Sequence, residues 1–181
     1  MAKLTDILKG GDLRSTGKVD EVIKKVNSQK SFDELFSGLF DADRLVVMRS
    51  ADAIEKITLI HPKYLRQHTG KLLELLNSTS HIELKWHLAQ LTTRIKLNEN
   101  EIGIVWNILT RWALDKKESR IVRVLSLQGL FDLLKQYPEL LTDFTQTMQA
   151  LEKEPVPSIA ARIRILKKLP PLKLPLKGVA C

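Results

Sequence analysis

A weak internal repeat constrains the fold of this 181-residue chain more than any other feature. When the sequence is shifted by 76 residues, residues 43–54 fall on residues 119–130, and His61-Pro62 falls on Tyr137-Pro138. Half of that shift, 38 residues, aligns further apolar positions, namely Val46, Ala51 and Ile57 with Leu84, Ala89 and Ile95. A repeat of this length is one supersecondary unit that cannot bury its apolar face alone, so the pattern predicts stacked helical hairpins.

Nearly every segment has the apolar periodicity of a helix, and period-two alternation bounded by turn residues is absent. Helices are predicted at about 2–9, 19–28, 32–39, 43–59, 63–77, 81–96, 100–115, 119–136, 139–152 and 157–168. Three of these starts carry capping-box patterns, Ser31 with Glu34, Ser80 with Glu83 and Asn98 with Glu101. Pro62 and Pro138 fit the first turn of a helix, where a missing N–H costs nothing. The sequence therefore predicts an all-α fold.

The net charge of +8 is concentrated near the C-terminal end. Residues 1–155 carry a net charge of only +2, whereas residues 156–181 contain six basic and no acidic side chains. A surface that tracks nucleic acid needs Lys and Arg spread along it, so nucleic acid is a disfavoured partner. Cys181 is the single cysteine, which excludes an intrachain disulfide and a multi-cysteine metal site.

The ends of the chain suggest no membrane insertion. No apolar run approaches the roughly 20 residues of a membrane span, and no secretory leader opens the sequence, so a cytoplasmic protein is expected. The basic helix at 157–168 could lie on an anionic membrane surface, and residues 170–175 could bind as an extended ligand. A charged helix that caps the end of a stack explains the same residues and is the favoured interpretation.

Several of the repeating segments resemble the first helices of HEAT repeats, which belong to the ARM-type α-solenoids. The segments that carry this resemblance are residues 46–54, 85–89 and 121–130, with residues 160–169 as one more first helix that closes the stack. Residues 10–17 also resemble the N-terminal loop of small uncharacterised bacterial HEAT-repeat proteins. The resemblance implies a right-handed α-α superhelix, a HEAT-like solenoid of about four helical hairpins plus a closing helix.

This resemblance also implies a division of the chain and a function. Residues 19–169 would form the repeat domain, with residues 1–18 as an N-terminal helix and glycine-containing loop and residues 170–181 as a Pro/Lys-rich tail. HEAT repeats imply binding rather than catalysis. We therefore expect a non-enzymatic scaffold that binds another protein on the concave face, which second helices usually line in such stacks. Here the second helices are those predicted at 63–77, 100–115 and 139–152.

The candidate partner-binding residues are Lys63, Arg66, Arg111, Trp112 and, in the N-terminal loop, Arg14. Trp106 and Trp112 lie six residues apart and so about 120° apart around one helix. Trp106 fits an apolar stripe with Ile102 and Leu109, which predicts that Trp112 lies near the surface beside Arg111. Aromatic and Arg side chains are enriched at binding hot spots.

No catalytic, cofactor-binding or metal-binding residues are predicted. The four histidines, His61, His68, His81 and His87, have no convincing carboxylate partner and are expected to be structural or exposed. Residues 10–17 precede a helix but lack the Lys-Ser/Thr ending of a phosphate-binding loop. They are expected to form a hinge after a loosely attached N-terminal helix.

The alternative function is nucleic-acid binding, including the base excision performed by HEAT-like DNA glycosylases. Those enzymes imply Trp and Asp side chains in a basic cleft, and Trp106, Trp112 and Asp115 match these residue types. The basic residues available are Lys63, Arg66, Lys71, Arg111, Lys116 and Lys117. Helix 139–152 opposes this interpretation because it contains acidic residues and no basic one. A role as an assembly subunit is a third possibility, and the sequence does not predict the oligomeric state.

Overall fold

The computed structural model describes residues 3–11 and 17–170, and every regular element within these ranges is helical. The predicted all-α fold is confirmed. The chain divides into two compact units, unit 1 at residues 1–95 and unit 2 at residues 96–181. In the described ranges, no helix has the length and apolar character required to cross a bilayer.

The longest helix of unit 1 is also its centre. The described α-helices of the unit are α1 (Leu4–Ile7), α2 (Val19–Lys25), α3 (Gln29–Ser37), α4 (Arg44–Ile60), α5 (Thr69–Ser78) and α6 (Ile82–Leu91). Short 3₁₀ segments follow three of them, at Gly38–Phe40, Pro62–His68 and Thr92–Arg94. Helix α4 packs against α2, α3 and α6. Ala51 and Ala53 are fully buried on α4, where small side chains allow neighbouring helices to approach closely.

Unit 2 is built around a helix that is apolar on most sides. Its described elements are α7 (Glu99–Leu114), α8 (Arg120–Leu133), a 3₁₀ turn at Pro138–Leu140, α9 (Leu141–Glu152) and α10 (Pro157–Leu166). Helix α8 packs against α7, α9 and α10. Leu127, Leu130 and Leu133 of α8 are fully buried, as expected for a helix covered by three neighbours.

The internal repeat is visible in the environments of equivalent residues. Residues that the 76-residue shift superimposes are buried in both units, namely Val46 and Val122, Ala51 and Leu127, Ile54 and Leu130, and Ile57 and Leu133. The helix starts also correspond, because the side chains of Asp43 and Ser119 both cap their helices. At the other end of each helix, Pro62 and Pro138 both begin a 3₁₀ segment. The two units therefore use one hairpin design.

The predicted capping boxes fared differently. The box of Asn98 with Glu101 is confirmed, whereas those at Ser31 and Ser80 are wrong. Helix α3 begins earlier, with Ser28 as its N-cap, and Glu34 instead accepts a hydrogen bond from the backbone N–H of Leu4 at 2.6 Å.

Glu83, of the box predicted at Ser80, also bonds outside its own helix start. No side chain caps α6, and the guanidinium of Arg44 donates to Glu83 at 2.6 Å. Both misplaced glutamates thus bond residues at least 30 positions away along the chain, which a local pattern does not reveal.

A buried arginine fixes the N-terminal segment of unit 1. The Arg49 side chain is 2% exposed and donates to the carbonyl oxygens of Leu8 and Gly10, each at 2.6 Å. Leu4 and Leu8 are buried as well, so the expectation of a loosely attached N-terminal helix is wrong. Gly17 has φ +58°, and a Cβ placed on it would lie 2.8 Å from Arg49 Cζ. Only glycine adopts this positive φ and leaves room for the Arg49 side chain without strain.

Candidate functional site

The candidate site is a groove of about 350 Å³ between α7 and α9, which we call the α7–α9 groove. Its base is apolar and its rim is polar. The base consists of Ile102, Trp106 and Leu140, and the rim of Glu99, Gly103, Asn107, Glu139 and Asp143. A Cβ placed on Gly103 would meet no atom within 4 Å, so the groove is open at that point. A concave apolar surface with a few polar groups is the usual form of a binding site.

Helical spacing brings the lining of the groove together. On α7, Ile102 and Trp106 are four residues apart and therefore lie on one face, with Gly103 and Asn107 beside them. On the opposite wall, Glu139 lies in the 3₁₀ turn that precedes α9, about one turn before Asp143. Asp143 lies in the first turn of its helix, where the macrodipole favours a negative charge.

The carboxylates of the groove differ from most others in the protein. Within residues 3–11 and 17–170, the side chains of Glu99, Glu139 and Asp143 have no hydrogen-bond or ion-pair partner. By contrast, Glu154 pairs with Arg123 at 2.8 Å and Glu83 pairs with Arg44. The groove therefore presents three uncompensated negative charges around an apolar base, which favours a ligand with positive charge.

The prediction that Trp112 lies near the surface is wrong. Trp112 is 5% exposed and Trp106 is 6% exposed, so both belong to the core of unit 2. The reason is the width of the buried face of α7, which packs against both α8 and α9. A helix with two neighbours buries an arc wide enough to include side chains 120° apart. The predicted stripe of Trp106 with Ile102 and Leu109 is buried as expected.

Three of the remaining predicted contact residues, Lys63, Arg66 and Arg111, are exposed. Lys63 and Arg66 lie three residues apart on the 3₁₀ segment of unit 1, where side chains at this spacing share a face. Arg111 is exposed on α7 in unit 2 and does not line the α7–α9 groove. Arg14 lies outside the described residues.

Two histidines have carboxylate partners that the sequence did not reveal. His68 Nε2 lies 2.7 Å from Asp33 Oδ1, and the ring stacks on Phe36 with centroids 3.9 Å apart. His87 Nδ1 lies 2.5 Å from Glu55 Oε2 and is 1% exposed. Both pairs join helices more than 30 residues apart in sequence, so they stabilise the packing of unit 1. His61 and His81 are exposed.

Among the carboxyl groups of unit 1 with lowered pKa values are Asp33 and Glu83. Burial alone would raise the pKa of Asp33, but hydrogen bonds from Gln29, His68 and Gln67 outweigh it and hold the pKa below the usual value. The pKa of Glu83 is lowered for a similar reason, since hydrogen bonding and the charge of Arg44 outweigh the effect of burial. No three His, Cys, Asp or Glu side chains are grouped for metal binding in the described ranges.

The sequence prediction missed the rim carboxylates as a site, although part of the signal was present. The absence of basic residues from 139–152 indicated an acidic second helix. The opposite wall of the groove was not predictable in this way. Glu99 lies 40 residues before Glu139 in the sequence, and only the packing of α7 on α9 brings the two residues into one groove.

Comparison with known proteins supports the architecture. The sequence model of the HEAT repeat domain matches residues 12–169, which is most of the chain. No curated protein and no solved structure gives a match. HEAT repeats generally mediate protein–protein interaction, and proteins of this family are typically non-enzymatic scaffolds. With repeating, largely buried first helices and a match over most of its length, this chain belongs to the HEAT repeat domain family, an all-α solenoid class.

Proposed function

We propose that the protein is a non-enzymatic scaffold that binds a basic segment of another protein in the α7–α9 groove. The observation that carries this proposal is the combination of an apolar base with three rim carboxylates that have no partner among the described residues. Helices α7 and α9 are second helices, which in HEAT stacks usually line the concave face, the surface expected from the sequence to bind the partner.

The two parts of the groove would contribute differently to binding. An apolar side chain of the partner that becomes fully buried at the base contributes about 1.5–3 kcal/mol. An exposed ion pair with Glu139 or Asp143 contributes about 0.2–1 kcal/mol, and its larger effect is on association rate and on the choice of basic over acidic segments. The base would therefore supply affinity and the rim would supply selectivity.

Basic residues outside the groove are proposed as secondary contacts. Lys63 and Arg66 in unit 1 and Arg111 in unit 2 are exposed and could pair with acidic residues elsewhere on a partner. Such surface pairs add little affinity individually. Arg14 remains a candidate of the same kind.

The proposal can be tested by crosslinking followed by affinity measurements. A photo-crosslinking amino acid at Asn107, which is exposed on the rim, should capture a partner in the native cell. A peptide spanning the crosslinked segment is then titrated against the full chain. We expect Glu139→Gln with Asp143→Asn to weaken binding roughly 3- to 10-fold, because two exposed ion pairs are lost.

The matched control removes the same number of negative charges from unit 1. Glu21→Gln with Glu74→Gln removes two exposed carboxylates that do not line the groove and should leave the affinity unchanged. Equal losses in both double variants would contradict a specific role of the groove. The alternative function would be favoured if duplex DNA bound the chain with an affinity that falls steeply as salt rises.

A further inference from the structure

We propose that a second groove of unit 2, between α8 and α10, binds an acidic segment of a partner protein. This α8–α10 groove has a volume of about 560 Å³. Its apolar part consists of Ile121, Val124, Leu125 and Pro157, and its polar part of Arg120, Ser158 and Arg162. The α8–α10 groove lies between two first helices, whereas the α7–α9 groove lies between second helices. The inference therefore adds a site and does not rest on the function proposed above.

The two arginines give this groove a positive charge that the described residues do not neutralise. Within residues 3–11 and 17–170, neither Arg120 nor Arg162 has an ion-pair partner. Arg162 donates to the side-chain oxygen of Gln128 at 2.8 Å, and this neutral acceptor leaves the guanidinium charge in place. The sequence of α10 contains no acidic residue, and Asp132, the acidic residue of α8, pairs with Lys135 at 2.9 Å. Charge complementarity therefore favours an anionic partner.

The equivalent arginine of unit 1 already has a carboxylate partner within the unit. The 76-residue shift superimposes Arg120 on Arg44 and most of α10 on α6. In unit 1 the guanidinium of Arg44 donates to Glu83 of α6 at 2.6 Å. The residue of α10 that corresponds to Glu83 is Ile159, which is buried and uncharged. Unit 2 thus keeps the arginine of the shared hairpin design without its internal carboxylate, and a carboxylate of the partner can take that place.

The apolar part of the groove selects a peptide among the possible anionic partners. Ile121 is 48% exposed, and Val124 and Leu125 are partly buried, so apolar side chains of a peptide can cover them. Single-stranded nucleic acid stacks its bases on aromatic side chains, and the described lining of this groove contains none. A membrane binds the exposed apolar face of a single helix rather than a concave surface between two helices. An acidic segment with interleaved apolar residues matches both parts of the groove.

A peptide titration of the full chain tests the inference. The probe is a short fluorescein-labelled peptide of glutamate, leucine and serine, and fluorescence anisotropy measures its affinity. Arg120→Gln with Arg162→Gln should weaken binding roughly 3- to 10-fold, because two ion pairs are lost. The same peptide with serine in place of every leucine should bind at least about 10-fold more weakly, because it covers no apolar surface. Glu139→Gln with Asp143→Asn should not weaken binding, which separates this site from the α7–α9 groove.

Two other cations close to the groove in sequence provide the matched control. Arg164 and Lys168 are exposed and do not line the groove. Arg164→Gln with Lys168→Gln therefore removes the same charge and should change the affinity by less than about 2-fold at 0.15 M salt, where the Debye length is about 8 Å. Arg120→Gln alone removes an exposed side chain, so its effect on binding can be measured without loss of the fold. It should still weaken binding roughly 2- to 3-fold.

Three results would overturn the inference. The first is no binding of the acidic peptide, and the second is an equal loss of affinity in the two double variants that remove arginine or lysine charges. The third is displacement of the bound peptide by phosphatidylserine vesicles or by duplex DNA, which would assign the surface to lipid or to nucleic acid. Binding that depends on Arg120 and on the leucines of the peptide, and that neither competitor displaces, would support an acidic protein segment as the ligand.

Discussion

The two units each bury one arginine on a first helix but give it different acceptors. In unit 1, Arg49 donates to the backbone carbonyls of Leu8 and Gly10. In unit 2, Arg123 is 3% exposed, donates to the carbonyl of Ala113 at 2.9 Å and pairs with the carboxylate of Glu154 at 2.8 Å. The guanidinium has five donors and stays charged, which suits it to fix chain segments that helix packing alone does not hold.

The difference shows what each unit needs to hold in place. Arg49 attaches a segment that precedes the repeats, and its described acceptors are neutral carbonyls. Arg123 connects the end of α7 to the α9–α10 turn, so one side chain joins two helix ends that are separated by α8 and α9 in the chain. Removing Arg49 should therefore destabilise the N-terminal segment of unit 1. Removing Arg123 should destabilise the helix packing of unit 2.

The largest effect is expected from Arg123→Met. The substitution keeps much of the side-chain volume but leaves Glu154, whose side chain is 12% exposed, as an unpaired charge. Loss of one partner of a buried pair costs about 3–5 kcal/mol. Urea unfolding measures this loss, and Arg123→Met with Glu154→Gln should recover part of it. Equal stability of the single and double variants would show that the unpaired carboxylate is not the cause.

Arg49→Met gives the contrasting result for unit 1. Loss of the hydrogen bonds from this charged donor to the two carbonyls costs about 1.5–3 kcal/mol. Amide hydrogen exchange should accelerate in Leu4–Ile7 and much less in α4, because the lost contacts belong to the N-terminal segment. Uniform acceleration over the whole of unit 1 would contradict this localisation.

A smaller and more local effect is expected from Gly17→Ala. Its positive φ costs an alanine about 1–2 kcal/mol, and contact with Arg49 at 2.8 Å adds to this. Gly10→Ala is the matched control, because Gly10 has φ +74° but no atom within 4 Å of an added Cβ. Urea unfolding should show a greater loss for Gly17→Ala, and the difference should shrink when Arg49 is replaced by Met. A difference that is unchanged in that background would mean that Arg49 is not the obstacle.

The comparison of the units also shows which features the sequence encodes locally. Helices and repeats were predictable because apolar periodicity and small residues such as Ala51 and Ala53 act within one turn or one repeat. The acceptors of Arg49, the partners of His68 and His87 and the burial of Trp112 depend on helices distant in sequence. The candidate site was half predictable: the acidic character of α9 was visible, whereas its pairing with α7 required the fold.

The pH dependence of unit 1 should be measurable through Asp33. Its pKa is lower in the folded state than the unfolded value of about 3.9. A lowered folded-state pKa gives stability that is fully present above the unfolded pKa and is lost as pH falls through the folded pKa. Asp33→Asn should cost about 1 kcal/mol near neutral pH, since the carboxylate is partly exposed. The difference from wild type should narrow in urea unfolding below about pH 4, and a difference that grows there would contradict the assignment.

The smallest effect is expected from two Gly→Ala substitutions, which should distinguish the stability of unit 2 from binding in the α7–α9 groove. Gly103 and Gly70 are exposed helical glycines with no atom within 4 Å of an added Cβ. Replacement by alanine should stabilise each helix by about 0.5–1 kcal/mol. The Gly103 methyl, however, enters the α7–α9 groove, whereas Gly70 lies in unit 1. If a partner peptide binds in the groove, Gly103→Ala should raise Tm and weaken binding of that peptide, while Gly70→Ala should raise Tm only. Gains in Tm without any change in peptide affinity would show that the peptide does not contact α7 at this position.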